Sequence, residues 1–204
     1  VNAFVTLDVP GAQKAAAESA ARWKAGKQIG LLDGVPVSVK DNLFVGGLRA
    51  TWGSRLFADY VAPRDDLAVV ALRNAGAVIL GKTNTPELAL GGSTSNLQFG
   101  STGNPWDRRL SPGGSSGGAA AGLAAGCGPL AIGTDAGGSI RRPAGHTGIA
   151  GLKPGVGRVP RRYGFPALAY DLQVVGPMAR SVAVLRGLFD LIATPRSNPN
   201  RPAT

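Results

Sequence analysis

The sequence predicts an α/β layered fold in which helices flank a core of β-strands. Three observations predict it. Segments with apolar residues at helical spacing alternate with short apolar runs of strand character along most of the 204 residues. Hydrophobic residues make up 44% and charged residues only 17%, below the roughly 25% charged of an average globular chain, which excludes intrinsic disorder. The 31 glycines, about twice the usual share, follow no Gly-X-Y period and so belong to turns and close approaches rather than to a collagen.

Taken in order, Asp8 followed by Pro10 starts a helix over residues 12–24 that ends near Gly26. Residues 35–40 read as a strand whose last residue is Lys40. Residues 65–74 carry Leu67, Val70 and Ala71 at helical spacing and stop at Gly76, after which 77–80 read as a short buried strand. Four glycines surround Ser115 and Ser116 ahead of an alanine-rich helical segment to Ala125, and 130–133 read as another strand. Further strands are expected over 149–152 and 173–175, and Ser181 caps a last helix through Leu191. The chain length suits one domain, placed over residues 1–193, and the proline-rich residues 194–204 read as a linker or loop tail.

Composition narrows the function. One cysteine, Cys127, and one histidine, His146, allow neither a disulfide nor a Cys/His zinc site, so no metal is expected. The net charge of +10 comes with basic pairs at Arg108-Arg109, Arg141-Arg142 and Arg161-Arg162 that are scattered and lack interleaved aromatics, which argues against a nucleic-acid surface. Residues 1–10 show no basic start before an apolar stretch, so no signal peptide is expected and the localisation read from the sequence is cytoplasmic. The uncharged run 110–134 is long enough for a bilayer, but Pro112, Pro129, its serines and its glycines make it a soluble helix packed closely among neighbours.

Two motifs mislead. Gly76 to Thr83 has the spacing of a phosphate-binding P-loop, yet its four intervening residues are Ala, Val, Ile and Leu, which form a strand rather than a flexible phosphate cradle. Gly113-Gly-Ser115-Ser-Gly117, followed by Asp135 and His146, has the chain order of an α/β-hydrolase. Its serine should follow a strand directly, but Ser115 follows a loop with Asp107, Arg108, Arg109 and Pro112, and His146 lies in a glycine-bounded turn past Pro143.

The remaining chemistry is a serine activated by lysine. Lys40 ends an apolar strand, where desolvation disfavours its charged form, although an ion pair with Asp41 or Asp135 would make it merely structural. Ser139 follows Gly137-Gly138, whose backbone N–H groups are free to converge on a developing oxyanion.

The blocks Gly113-Gly-Ser115-Ser116-Gly-Gly, Gly133-Thr-Asp135-Ala-Gly-Gly-Ser139-Ile-Arg141-Arg-Pro143-Ala and Gly151-Leu-Lys153-Pro resemble the signature stretch of the amidase signature family, with Ser139 placed 24 residues after Ser115. Gly34-Val-Pro36-Val-Ser-Val-Lys40-Asp41-Asn42, Gly81-Lys-Thr-Asn84-Thr-Pro-Glu87 and Gly103-Asn-Pro-Trp106-Asp are similar to further blocks of that family, in the same order. The resemblance implies an amidase signature fold, a mixed β-sheet core flanked by helices, and hydrolysis of a carboxamide C–N bond through a serine acyl-enzyme. It assigns Ser139 as nucleophile, Ser115 as bridging serine after a cis Gly114–Ser115 peptide, and Lys40 as base. The amides of Ala136, Gly137, Gly138 and Ser139 would hold the oxyanion, while Ser116, Asp135 and Arg141 would brace the loops. No cofactor is implied.

Family members are typically much longer, so the domain is expected to be partial, lacking a C-terminal half that completes sheet and pocket. The expected partners are therefore a small-molecule amide and either a second copy of the chain or a complementing C-terminal segment. Gly145-His-Thr-Gly148 and Lys153-Pro-Gly155 depart from the usual pattern without touching the triad. Two alternatives stand beside the simple amidase. One is the glutaminase component of a glutamyl-tRNA(Gln) amidotransferase, against which the stretch 165–171 weighs by resembling stand-alone amidases; the other is a non-catalytic module derived from an amidase half.

Overall fold

In the computed structural model, which describes residues 1–169 and 172–194, helices and strands alternate as the hydrophobic spacing dictates. The order is β1 (Phe4–Leu7), α1 (Val9–Lys24), β2 (Pro36–Lys40), α2 (Leu67–Asn74), β3 (Val78–Thr83), the short strands β4 (Ser95–Asn96) and β5 (Gly100–Ser101), α3 (Gly117–Ala124), β6 (Leu130–Asp135), α4 (Arg141–Thr147), β7 (Ala150–Gly151), β8 (Val174–Ala179) and α5 (Val182–Ile192). Local chemistry sets the starts. The Asp8 carboxylate accepts the Gly11 amide at 3.1 Å, with Pro10 in the first turn where a missing N–H costs nothing. Ser181 accepts the Val184 amide at 3.4 Å and starts α5 as expected.

Several elements differ from the sequence reading. The second helix begins at Leu67 rather than 65, because Asp66, accepting the Leu67 amide at 2.7 Å, is its cap. Strand β3 runs past Leu80 to Thr83, since Gly81, Lys82 and Thr83 stay paired with both β1 and β2. Its residues are the very ones that mimic a P-loop, and they are strand. Strand β8 extends past Val175 to Ala179, paired along its length with β6. Strand β1 and the β4–β5 pair were not anticipated. Nor was α4: His146, read as part of a turn, lies on this helix. Pro143 is harmless there because it occupies the first turn, where helical N–H groups have no intrahelical partner anyway. Of the expected tail over 194–204, everything beyond Thr194 lies outside the described residues.

The six-stranded sheet has the order β1-β3-β2-β6-β8-β7. The central β3, β2 and β6 run parallel, and β1, β8 and β7 pair antiparallel outside them, so the sheet is mixed. Alternation along the central strands divides the core. Val37 and Val39 of β2 with Leu130 and Ile132 of β6 face α2 and α5, meeting Val69, Leu72, Leu185 and Leu188. Ala131 and Met178 point to the other face, against Ala119, Ala120 and Leu123 of α3 and Ile140 ahead of α4. Burial on both faces explains why these strands are continuous apolar runs. Both β2 and β6 end, at Lys40 and at Thr134–Asp135, on the same edge of the sheet, the carboxyl edge where open α/β sheets place their sites.

Candidate active site

Lys40 emerges from β2 fully buried, with a relative exposure of 0%. Its Nζ lies 2.7 Å from Ser115 Oγ and 3.0 Å from Thr134 Oγ1. The two acids whose pairing would have made it merely structural are engaged elsewhere. Asp41 pairs with Lys82 at 3.2 Å, and Asp135 pairs with Arg141 at 3.0 Å. Burial, assisted by the like charge of the Arg161 guanidinium and opposed by Asp135, pushes the Lys40 ammonium well below the usual lysine range. A neutral amine held between two hydroxyls is a base whose lone pair can take a proton from Ser115.

Ser115 is 1% exposed and sits in a loop between Gly113 and α3, with no strand before it, so the elbow arrangement is absent. The Gly114–Ser115 peptide is cis, as the resemblance implies. Ser116 ties this loop to the next one: its amide donates to the Ser139 carbonyl at 3.0 Å, and its hydroxyl donates to the Thr134 carbonyl at 3.2 Å. Ser139 is thereby brought beside the residue that follows Ser115, and it is half-buried, open to a ligand.

The loop carrying Ser139 is organised by Asp135. Its carboxylate accepts the amides of Gly138 at 2.8 Å, Ile140 at 2.9 Å and Arg141 at 3.1 Å, besides the Arg141 guanidinium. Burial raises the Asp135 carboxyl, but the Arg141 guanidinium and these three amides outweigh it and hold the group well below the usual carboxylate range. One expectation changes here. The Gly138 amide, turned inward by a φ of +111°, is committed to Asp135 and is unavailable to an oxyanion. The amides of Ala136, Gly137 and Ser139 carry no acceptor among the described residues.

Thr134 and Asn42 belong to the site although the sequence reading gave them no role. Thr134 Oγ1 accepts from Lys40 Nζ and from Asn42 Nδ2 at 2.8 Å, and so fixes the amine from the β6 side. Both residues sit inside motif blocks that the sequence displays, but only the folded chain brings the two strand ends together. A cavity of about 500 Å³ adjoins this edge, lined among others by Leu67, Arg161, Phe165 and Gln173 and by Val174 and Val175, the register partners of Asp135 and Thr134.

Comparison with known proteins places this geometry. The family model for Amidase matches residues 1–203. The glutamyl-tRNA(Gln) amidotransferase A chain of Symbiobacterium thermophilum is 50% identical over 196 residues, covering 96% of this chain and 40% of that protein. Its counterpart in Deinococcus radiodurans is 48% identical over 193 residues, covering 95% and 39%. Among solved structures, the peptide amidase of Stenotrophomonas maltophilia superposes with a TM-score of 0.92 at 37% identity, over 98% of this chain and 43% of the amidase. A 6-aminohexanoate cyclic dimer hydrolase does so with a TM-score of 0.87 at 32% identity, over 100% and 42%. The chain spans about two fifths of the length of these relatives. The match of the family model across almost the whole sequence, on a sheet shared with solved amidases, shows that the chain belongs to the amidase family.

Proposed function

We propose that this chain carries the amide-cleaving centre of a serine amidase. The observation that carries the reading is the buried Lys40 Nζ, 2.7 Å from Ser115 Oγ, with Asp41 and Asp135 already paired to other cations. Neutral Lys40 takes the Ser115 proton while Ser115 takes that of Ser139, and Ser139 Oγ adds to the carboxamide carbon. Amides of Ala136, Gly137 and Ser139 are positioned to receive the oxyanion; removing such a donor typically costs about 10²–10³ in rate. Collapse expels the amine, protonated through Ser115 by the Lys40 ammonium, and leaves an acyl-Ser139 ester. Water, deprotonated along the same relay, then releases the carboxylate and restores Ser139. Ser116, Asp135 and Arg141 hold the two serine loops in register.

The test is labelling of the full chain with a fluorophosphonate probe, with the adduct mapped by mass spectrometry. The expected result is an adduct at Ser139 that is lost or strongly slowed in Lys40→Ala. An adduct at Ser115, or none on a chain shown to be folded, sinks the assignment.

A second reading is favoured by the relatives that are 46–50% identical, which are components of glutamyl-tRNA(Gln) amidotransferase. On that reading the same centre cleaves glutamine, and the ammonia serves a charged tRNA within an assembly. Ammonia release from glutamine that requires added partner chains supports it, whereas rapid hydrolysis of simple amides by the chain alone favours the free-standing amidase.

A further inference from the structure

Ser115 stands in the least constrained stretch of the chain, after Gly113 and Gly114 and just ahead of Gly117 and Gly118, where glycine leaves the backbone its widest choice of conformations. A relay through its hydroxyl needs that hydroxyl held closely, between Lys40 on one side and Ser139 on the other. Lys40 bonds the hydroxyl itself, and Ser116 ties the downstream side of the loop to the Thr134 and Ser139 carbonyls. Upstream, Ser111 accepts the Gly113 amide at 3.0 Å from within the same loop, and the exposed Arg142 reaches the Gly114 carbonyl only at 3.4 Å.

A firmer hold comes from another part of the chain. Thr94, just ahead of β4 and 2% exposed, donates its hydroxyl to the Gly113 carbonyl at 2.9 Å and accepts the Gly117 amide on the same oxygen at 3.1 Å. One side chain thus bonds the residues two before and two after Ser115. Its own backbone is anchored beside the β4–β5 pair, where the Thr94 carbonyl accepts the Thr102 amide at 2.9 Å. The segment leading to Thr94 is also seated directly on the serine loop. A Cβ added at Gly114 would lie 2.7 Å from the Gly91 carbonyl oxygen, and one added at Gly117 would lie 2.8 Å from the Thr94 Cβ. Both bonded glycines are buried, where a lost hydrogen-bond partner is not replaced by bulk solvent.

We infer that Thr94 is a positioning residue of the catalytic centre: its hydroxyl closes the Ser115 loop at both ends and so fixes the relay serine between Lys40 and Ser139. The inference rests on the amidase reading for the reaction, and it adds a residue that lies outside the motif blocks displayed by the sequence. Thr94 acts through Ser115 and touches no reacting atom. Loss of its hydroxyl therefore slows the chemical step and leaves ligand binding alone. A Thr94 that merely filled space would be replaced without loss by valine, which matches its shape.

The test follows labelling of Ser139 by a fluorophosphonate probe in the full chain, Thr94→Val, Thr94→Ala and Thr94→Ser, each checked for folding by circular dichroism. Saturation curves separate the limiting rate, kinact, from the half-saturating concentration, KI. Thr94→Val, or Thr94→Ala where the valine variant does not fold, is expected to lower kinact about ten- to a hundredfold, the range of a small misplacement at a reacting centre, with KI within about threefold. Thr94→Ser keeps the hydroxyl and should stay close to the native rate. Native kinact without the hydroxyl, a fall carried by KI, or an equal fall in Thr94→Ser overturns the inference. Failure of both hydroxyl-free variants to fold overturns it as well, since the hydroxyl would then serve the whole fold rather than the site. Hydrogen exchange read by mass spectrometry gives a second readout that does not need the reaction. The peptide covering residues 113–117 should exchange faster in the hydroxyl-free variants than in the native chain and Thr94→Ser. Absence of labelling in the native chain refutes the amidase reading, and the exchange comparison then decides the clamp by itself: faster exchange sustains it, and unchanged protection refutes it.

Discussion

At the scale of single residues, the informative feature is a pair of buried lysines treated differently. Lys82 has Asp41 at 3.2 Å, and Lys40 has only hydroxyls. A lysine buried without a counter-ion costs stability in proportion to its lowered pKa, about 1.4 kcal/mol per unit. Lys40→Met, of similar length, is therefore expected to raise the stability of the chain at pH 7 by about 1 kcal/mol or more, even with two hydroxyls losing a partner, while abolishing labelling at Ser139. Urea denaturation followed by fluorescence checks the first part; an unchanged or lowered midpoint would mean that Lys40 is charged and paired in the fold. The sequence displays Lys40, Ser115 and Ser139 openly, because each stands at a strand end or glycine turn within a recognisable block. It could not say which of two nearby acids Lys40 would meet. The answer, neither, depends on Arg141 and Lys82 reaching those acids first.

At the scale of elements, α3 shows how one composition serves several purposes. Gly118, Gly122 and Gly126 repeat every fourth residue, yet their surroundings differ. A Cβ at Gly118 would lie 2.4 Å from the Asn84 amide nitrogen and 2.7 Å from the Ala3 carbonyl, so the helix packs against backbone there. At Gly122 the nearest atoms are 3.6 Å and 3.7 Å away, an ordinary contact. Gly118→Ala is expected to destabilise by about 2–3 kcal/mol through overpacking. Gly122→Ala should be neutral or stabilise by about 0.5–1 kcal/mol through helix propensity. Thermal unfolding of the two variants tests the contrast, and equal effects would contradict the close approach. Helix α4 was illegible for a related reason. Proline and glycine within seven residues look like a turn, but the Asp135 carboxylate accepts the amides that begin the helix. That contact comes from a preceding strand end, not from a local cap.

At the scale of the whole molecule, the buried charges set how stability follows pH. Lys40 and Lys82 both have depressed pKa values in the fold and ordinary ones, near 10.5, when unfolded. Between those limits the unfolded chain binds more protons, so stability rises with pH from the depressed values of the fold toward about 10.5 as far as these lysines decide it. Asp135 acts at the other end: its carboxyl is depressed in the fold, and its contribution is present above about pH 4 and lost as the pH falls further. Calorimetric unfolding at a pH just below 10.5, in buffers of different ionisation enthalpy, should reveal net proton uptake. Release, or no exchange, would mean that the lysines stay charged in the core.

The broad architecture was legible because parallel central strands buried on both faces must be apolar and amphipathic helices must follow their period, so the α/β alternation is written along the chain itself. The proposed triad members, Lys40, Ser115 and Ser139, were legible as residue types in a recognisable order. Strand β1 was not, since it is too short to carry a period; β7 and β8 were expected as strands over 149–152 and 173–175, but the antiparallel pairing of β8 with β6 and of β7 with β8 is set only by the fold. Nor were Thr134 and Asn42 as supports of the amine, the Gly138 amide as a ligand of Asp135, or Arg142 above the two serine loops. The amine supports and the reach of Arg142 to Gly114 depend on distances between segments far apart in the chain, and the Asp135–Gly138 bond on the exact turn the loop takes. The sequence alone determined which groups could do the chemistry; the tertiary structure decided which are paired and which left free, because burial and charge neutralisation act through space.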